Sequence, residues 1–199
     1  TGLLTRQLAV ANPEVTGIDP SAAMLAYARR QPGAERVRWI KGDSSALGIP
    51  AADLVLMTSN VAQVFLADDE WATTLRHIHA ALRPGGHLAF ESRNPADRGW
   101  ESWNPETTFA RLETPHGPVE TWLEVVREEN GRVHFVGHNL FKNTGEELVV
   151  TSTLRYRSHA EISASLHKAG FTIEQVYGNW QQEPLANTSR MMIFVAQRS

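Results

Sequence analysis

Two short apolar runs, Val15-Thr16-Gly17-Ile18-Asp19 and Val37-Arg38-Trp39-Ile40-Lys41-Gly42-Asp43, decide the fold. Each run is typical of a buried strand, and residues 21–31 between them have the apolar stripe and capping serine of a helix. The order strand, helix, strand predicts an open α/β sheet, which binds its ligands beyond the carboxyl ends of the strands. An aspartate, Asp19 or Asp43, stands at that end of each strand.

These two carboxylates predict a ligand that contains adenosine. A carboxylate has two acceptor oxygens, so it can accept hydrogen bonds from the hydroxyls of a ribose or from an adenine amino group. Both residues also have an ordinary alternative, because aspartate is common in turns. Asp19 can help to cap helix 21–31, and Asp43 can belong to a Gly-Asp-Ser-Ser turn.

The composition is that of a globular α/β protein and excludes several classes. The 199 residues are 42% hydrophobic and 21% charged, with a net charge of −3. They are enough for one domain with a sizeable core. The only lysines are Lys41, Lys142 and Lys168, and no basic stripe indicates nucleic-acid binding. The absence of cysteine excludes disulfides and thiolate chemistry. The chain contains no run of about 18 apolar residues, so no membrane span is predicted. We expect a cytoplasmic location.

The remaining elements follow from periodicity and from breaks at proline and glycine. Alternating polar and apolar residues between Thr107 and Arg157, with turn signals such as Asn130-Gly131, predict an antiparallel sheet with one wet face. The predicted helices are 3–11 (ended by Asn12-Pro13), 70–82 (capped by Asp68 or Asp69) and 159–169, and the other predicted strands are 52–58, 87–92, 171–177 and 190–197.

Four motifs in this order resemble the class I S-adenosylmethionine-dependent methyltransferases of the small-molecule type. They are the Thr1-Gly2 start of helix 3–11, Gly17-Ile18-Asp19-Pro20-Ser21, Lys41-Gly42-Asp43-Ser44 and Leu82-Arg83-Pro84-Gly85-Gly86. The resemblance implies a Rossmann-like methyltransferase fold, with a mostly parallel sheet flanked by helices. It also implies a single domain over residues 1–199. An antiparallel β insert at about 93–157, after the family's fifth strand, is expected to form a lid.

The chain departs from the family at its start. The family's first strand and most of its glycine-rich loop are absent, and only Thr1-Gly2 remains of that loop. In the family this strand lies in the middle of the sheet. Leaving its place empty leaves buried N–H and C=O groups unpaired, at ~1–3 kcal/mol each. We therefore expect residues that precede Thr1 to supply it in the natural protein.

The resemblance also implies the residues that bind the cofactor, S-adenosylmethionine. Gly2 borders the methionine portion, Asp19 binds the ribose, Pro20 lies under the adenine, Asp43 and Ser44 bind the adenine edge, and Asn60 faces the methionyl group. Gly2 has the alternative of a simple turn before a helix, and Asn60 that of a helix cap. Asn60 is not followed by the Pro-Pro-aromatic motif typical of enzymes that methylate nucleobase or protein amides.

The acceptor pocket is expected at the end of strand 87–92. The residues predicted to border it are Glu91, Arg93, Asn94, Trp100 and Trp103. An aromatic wall suits a sulfonium or a methylated amine, through cation–π attraction worth ~0.5–2 kcal/mol. The alternative for the two tryptophans is that they anchor a loop onto the core.

The sequence identifies no catalytic residue and predicts no metal site. His134 and His138 alternate on one strand, where either can be a base facing the pocket or a surface residue. No His-Glu-x-x-His or comparable ligand set occurs. Thr1 leads into a helix without a basic partner, which argues against an N-terminal nucleophile.

The predicted reaction is methyl transfer from S-adenosylmethionine to N or O of a small-molecule acceptor by direct displacement. The competing hypothesis is a degenerate or truncated methyltransferase-like domain that binds a partner without catalysis. An NAD(P)-dependent oxidoreductase is a further alternative, although no Gly-x-Gly-x-x-Gly loop and no Tyr-x-x-x-Lys pair occurs. An oligomer formed across an edge strand of the insert is left open.

Overall fold

The computed structural model describes residues 2–11, 14–48 and 52–199. Two predictions fall outside this part: Thr1 as a loop residue or nucleophile, and Asn12-Pro13 as a helix stop. The helices are α1 (Leu3–Ala11), α2 (Ala22–Arg29), α3 (Asp68–Ala81), α4 (Pro105–Thr108) and α5 (His159–Lys168). The strands are β1 (Val15–Asp19), β2 (Val37–Lys41), β3 (Ala52–Met57), β4 (Leu82–Arg93), β5 (Ala110–Thr114), β6 (Gly117–Glu129), β7 (Arg132–Phe141), β8 (Glu147–Arg155), β9 (Phe171–Tyr177) and β10 (Met191–Arg198).

The helix boundaries show which capping predictions are correct. Ser21 caps α2 as predicted, since its hydroxyl accepts from the backbone N–H of Met24 at 3.3 Å. The prediction that Asp68 or Asp69 caps α3 is wrong, because the cap position is Ala67, which makes no side-chain cap bond. Asp68 lies inside the first turn, where it pairs with Arg157, and an acidic residue there is favoured by the helix dipole.

The strands of the α/β portion form two separate sheets among the described residues. β1 and β2 pair in parallel, with Asp19 opposite Lys41. The second sheet has the order β3-β4-β10-β9, in which β3 and β4 are parallel and β10 runs antiparallel to both neighbours. The α/β class is confirmed. The expected predominance of parallel pairs is confirmed only in part, because β10 reverses direction between β4 and β9.

The edges of β1 and β3 are relevant to the prediction that the family's first strand is absent. Within the described residues, β1 pairs only with β2, and β3 pairs only with β4. Leu54 of β3 is 53% exposed. Each of these two strands therefore has one edge without a paired neighbour among the described residues.

The predicted antiparallel sheet lies at β5 to β8, paired in the order of the chain. Its β6–β7 turn is Asn130-Gly131, with φ of 51° and 68°, as the favoured two-residue hairpin requires. One face of this sheet packs against the segment that follows β4: Trp100, Val133 and Tyr156 form a small buried cluster, with Trp103 against its edge.

The main core fixes the carboxyl end of β4. Phe90 stacks on Phe194 of β10 with ring centroids 5.3 Å apart, and Trp71 of α3 packs edge-on against Phe90. The Trp71 indole also donates to the Ser165 hydroxyl of α5 at 2.9 Å. The two faces of the β3-β4-β10-β9 sheet therefore differ. Helices α3 and α5 cover one face, and side chains such as Glu91 project from the other.

Two arginines join the insert to the segment before α3. Arg157, 4% exposed, donates to the carbonyls of Phe65 and Ala67 and to the Asp68 carboxylate at 2.9 Å. Arg132 of β7 donates to the carbonyl of Leu66 at 3.1 Å. The loop after β3 is thereby held from the insert side. No helix in the described part of the chain is long and apolar enough to cross a membrane.

Candidate functional site

Two adjoining cavities lie at the carboxyl ends of β3 and β4. The first, of about 360 Å³, is lined by the amino-terminal turn of α1, from Gly2 to Thr5, with Gln7, and by Thr58 and Ser59. The second, of about 410 Å³, is lined by Leu56, Glu91 and Trp180. Leu4, Thr58 and Ser59 belong to both, so the two form one cleft of the size of a small-molecule site.

Glu91 is the central polar residue of this cleft. Its side chain projects from β4 and is 7% exposed. One carboxylate oxygen accepts from the backbone N–H of Asn60 at 3.0 Å, and the other accepts from the indole N–H of Trp180. Glu91 therefore ties the loop after β3 to the loop between β9 and β10, across the cavity.

The loop after β3 adopts a conformation that side chains disfavour. Ser59 and Asn60 both have positive φ, of 61° and 59°, which costs energy in residues other than glycine and is enriched at functional sites. Asn60 occupies the cap position of the short helical turn Val61–Gln63 without a side-chain cap bond. Its side-chain oxygen is buried and has no hydrogen-bond partner among the described residues.

The two predicted aspartates lie side by side at the ends of β1 and β2. The Gly42 backbone N–H donates to the Asp19 carbonyl at 3.2 Å, which places Asp43 next to the end of β1. One oxygen of Asp19 accepts from the Ser21 backbone N–H at 2.7 Å, so its turn-forming alternative is present. Within the described residues, its other oxygen has no hydrogen-bond partner. Neither aspartate lines the two cavities above.

Asp43 is held ionised by its own loop. Its carboxylate accepts from the Ser45 backbone N–H at 2.8 Å, and the hydrogen bonds from Ser45 lower the pKa of Asp43 below its usual value. Ser44 points its hydroxyl away from the strand end, toward α3, where it bonds His77 Nδ1 at 2.9 Å and approaches Thr74. The backbone of this loop is therefore anchored to α3.

Arg93 belongs to a second polar cluster, beside the cleft. Its guanidinium donates to the Gln63 side-chain oxygen at 3.0 Å and lies 5.2 Å from the Trp103 ring centre. Gln63 is fully buried, and its amide nitrogen lacks a partner within the described chain. Burial raises the pKa of the Tyr156 phenol, although Arg93 and Gln63 beside it act in the opposite direction.

Asn94 and Trp100 have structural contacts that occupy them. The Asn94 amide donates to carbonyls of the 186–189 loop, the shortest bond being 2.9 Å to Ser189, and its oxygen accepts from Ala96. Trp100 is 7% exposed and packs edge-on against Tyr156 at 4.5 Å. Trp100 thus anchors the loop as its alternative supposed, and the acceptor-binding roles of both residues stay predictions.

The remaining predicted positions lie on either side of the first cavity. Gly2 has φ of 68° and begins α1, since its carbonyl accepts from the Arg6 N–H at 3.0 Å. An added Cβ there lies 2.4 Å from the Trp39 ring. Pro20 is exposed in the turn between Asp19 and the cap of α2. His134 and His138 are half-buried in the insert, bonded to Thr153 at 2.9 Å and Glu147 at 2.6 Å.

Sequence reasoning missed Trp180, Gln63 and His77. Trp180 lies in the loop between the last two strands, where no periodicity or motif marks it, and only tertiary folding brings it to Glu91. His77 lies in a predicted helix, where polar residues are usually solvated. Gln63 lies in the short helical turn after β3, outside the predicted helices. A signal existed only for Glu91, through its place at a strand end.

Comparisons with known sequences find methyltransferase domains similar to part of this chain. The family described as "Methyltransferase domain" matches residues 1–86. A malonyl-[acyl-carrier protein] O-methyltransferase of Pectobacterium atrosepticum is 36% identical over 132 residues, which are 64% of this chain and 50% of that protein. The chain spans 29 to 50% of the length of the curated relatives it matches.

Solved structures show the same fold along nearly the whole chain. An S-adenosylmethionine-dependent methyltransferase from Clostridium acetobutylicum superimposes with a TM-score of 0.82 at 14% identity, over 98% of this chain and 78% of that one. An amino pentose methyltransferase from Micromonospora echinaspora, solved with S-adenosylmethionine bound, gives 0.69 at 23% identity, over 96% and 77%. None of these comparisons supports an oxidoreductase or a non-catalytic domain. The matched domain covers less than half of this chain, and the superpositions show that its fold is that of S-adenosylmethionine-dependent methyltransferases.

Proposed function

We propose that this chain binds S-adenosylmethionine and directs transfer of its methyl group to N or O of a small molecule by direct displacement. The observation that carries the proposal is the cleft at the strand ends. It runs from the amino terminus of α1 past Ser59 to a buried carboxylate, Glu91, and an indole, Trp180. This is the edge at which α/β sheets bind their ligands.

The residues at this edge fit such a cofactor. The free oxygen of Asp19 suits a ribose hydroxyl, and Asp43 with the Ser44 backbone N–H suits an adenine edge, with Pro20 beneath it. The first backbone N–H groups of α1, beside Gly2, suit a carboxylate, because helix amino termini attract anions. Asn60, whose buried side-chain oxygen lacks a partner among the described residues, suits an ammonium group.

S-adenosylmethionine supplies a methyl group that is already activated by a positively charged sulfur. The protein's part is alignment and exclusion of water, and positioning alone contributes ~7–11 kcal/mol of a barrier. Glu91 holds the Ser59–Asn60 turn and Trp180 in place on opposite sides of the cavity. The β5–β8 sheet, attached through Arg132 and Arg157, acts as the roof, within a lid-like segment of about residues 93–157.

The acceptor is a small molecule in this proposal, with Arg93 and Trp103 at its border. Support comes from the cavity size and from the amino pentose methyltransferase among the structural neighbours. Membrane and nucleic-acid partners are not part of the proposal, and a cytoplasmic location stays a prediction.

Calorimetry with S-adenosylmethionine and S-adenosylhomocysteine tests the cofactor assignment. The Asp19→Asn variant keeps an oxygen for the Ser21 N–H but loses the charged acceptor. Since hydrogen bonds to charged groups are worth ~1.5–3 kcal/mol, we expect Kd to rise about 10- to 100-fold. Asp69→Asn, at an exposed position on α3, is the matched control and should bind normally. Normal binding by Asp19→Asn would refute the role of Asp19, and no binding by the wild-type full-length protein would refute the proposed function.

A further inference from the structure

Glu91 carries a negative charge that no described residue neutralises. Its carboxylate is 7% exposed, and both oxygens accept hydrogen bonds from neutral donors, the Asn60 N–H and the Trp180 indole. No ion pair within 4.0 Å joins Glu91 to a cation in the described chain. Arg93, two residues further on the same side of β4, is instead engaged by Gln63 and Trp103. A buried charge is costly unless it is paired, so this position favours a cationic ligand group.

The neighbours of Glu91 suit a cation as well. Trp180 lines the same cavity with its ring 46% exposed, and an indole face attracts ammonium groups. Each carboxylate oxygen that accepts one hydrogen bond still has a second lone pair for a further donor. Leu4 and Leu56 add apolar surface to a lining that also includes Thr58 and Ser59, and apolar surroundings strengthen an electrostatic attraction.

We propose that Glu91 and Trp180 form the acceptor end of the cleft and select an acceptor whose reacting atom is an amine nitrogen, not a carboxylate oxygen. This inference rests on the proposed function and names its substrate class. Glu91 lines only the second cavity, whereas Gly2, Leu3 and Thr5 at the amino terminus of α1 line only the first. A carboxylate acceptor in the second cavity would face the negative charge of Glu91.

The movement of charge during the reaction explains why a carboxylate beside the acceptor nitrogen would favour catalysis. The bound ammonium first releases one proton to solvent. The lone pair of the resulting neutral amine nitrogen then forms the new bond to the methyl carbon, while the carbon–sulfur bond breaks and its electron pair stays on sulfur. Positive charge thus moves from sulfur to nitrogen, and the methylated ammonium then releases a proton to solvent. A carboxylate nearer to nitrogen than to sulfur stabilises the transition state more than the ground state, which is the requirement for catalysis.

Binding of matched probes tests the inference without a known substrate. The full-length protein, saturated with S-adenosylhomocysteine, is titrated with cyclohexylamine and with cyclohexanecarboxylate, which share a ring and differ in charge. We expect the amine to bind more tightly than the carboxylate. In Glu91→Gln the amine should bind about tenfold or more weakly, as for truncation of a buried charge pair. Glu174→Gln removes an exposed carboxylate on β9 and should leave both affinities unchanged.

Measurements of cofactor binding separate this inference from the proposed function. S-adenosylmethionine carries the sulfonium charge and S-adenosylhomocysteine does not, so a Glu91→Gln variant that loses affinity only for the former places the charge at sulfur and overturns the inference. Equal or tighter binding of the carboxylate probe by the wild type also overturns it. Failure of the wild type to bind either cofactor form refutes the proposed function instead.

A second variant guards against a folding defect in Glu91→Gln. Trp180→Leu removes the indole from an exposed loop position and leaves Glu91 charged. We expect weaker binding of cyclohexylamine with little change in the affinity for S-adenosylhomocysteine. Unchanged amine binding in this variant contradicts the assignment of Trp180 to the acceptor end.

Discussion

At the scale of single residues, Gly17 shows how a missing side chain determines local packing. The Trp39 ring of β2 lies across β1 at this point, and a Cβ added to Gly17 would be 2.6 Å from it. The ring is held in place because its indole N–H donates to the Ala34 carbonyl at 3.0 Å. The same ring approaches Gly2, so one tryptophan supports both β1 and the start of α1.

The Gly17→Ala substitution should therefore destabilise the protein. Overpacking of a fixed neighbour typically costs ~1–3 kcal/mol, and a urea unfolding curve measures the change in free energy of unfolding. Gly137→Ala in β7 is the matched control, since its added Cβ meets its nearest neighbour, Leu123, at an ordinary 3.5 Å. A second change, Trp39→Leu, should recover part of the loss. Equal stability of Gly17→Ala and wild type contradicts the packing argument.

At the scale of secondary-structure elements, α5 depends on a capping box. The Ser158 hydroxyl accepts from the Glu161 backbone N–H at 3.2 Å, and the Glu161 carboxylate accepts from the Ser158 N–H at 2.8 Å. Burial raises the pKa of Glu161, but the Ser158 bonds and Arg155 outweigh it, so that the pKa is lowered overall. The helix buries Ile162 and Leu166 in the main core, so its start affects the packing behind β4.

We expect Ser158→Ala to cost about 0.5–2 kcal/mol of unfolding free energy, the usual effect of losing a capping side chain. Chemical denaturation at neutral pH measures it. Ser163→Ala on the same helix serves as control: its hydroxyl is buried without a hydrogen-bond partner in the described chain, and alanine is the better helix former. If both substitutions have the same effect, the capping box does not account for the stability of α5.

At the scale of the whole molecule, the insert is attached to the α/β portion through two arginines, of which Arg157 is buried. Arg157 lies at 5.4 Å from the Trp71 ring centre and donates to the loop before α3. Its hydrogen bond to Asp68 lowers the pKa of that carboxyl below 3.8. A carboxyl whose pKa is lowered by folding stabilises the folded state above its unfolded pKa, and the contribution is lost as the pH falls through the folded value.

Asp68→Asn should therefore be less stable than the wild type at neutral pH, and the difference should shrink as the pH falls below about 4. Unfolding curves at several pH values measure this convergence. Asp69→Asn is the matched control, because Asp69 bonds only to its neighbour Glu70 N–H at 2.9 Å and to no arginine among the described residues. A constant difference between Asp68→Asn and wild type at all pH values would show that the ion pair is not the cause.

Local sequence accounts for most of the elements. The strands at Val15 and Val37, the serine cap of α2, the Asn130-Gly131 hairpin and an antiparallel sheet between Thr107 and Arg157 are predicted correctly, because periodicity and turn chemistry act over a few residues. The cap of α3 and the start of β4 are exceptions, since β4 begins at Leu82 and the predicted strand begins at residue 87. Asp68 at the start of α3 does not cap the helix, because it pairs with Arg157, which lies 89 residues later in the chain.

The candidate site likewise has some features that the local sequence predicts and others that only the tertiary structure determines. The amino-acid sequence by itself determined the α/β class, the resemblance to S-adenosylmethionine-dependent methyltransferases, and the placing of Asp19, Asp43 and Glu91 at strand ends, since parallel strands bring their carboxyl ends to one edge. Only the tertiary structure decided that Glu91 is buried without a cation and bonded to Trp180, and that Asn94 and Trp100 are occupied by structural contacts. Burial and pairing depend on residues far apart in the chain, and no local pattern encodes which of them meet.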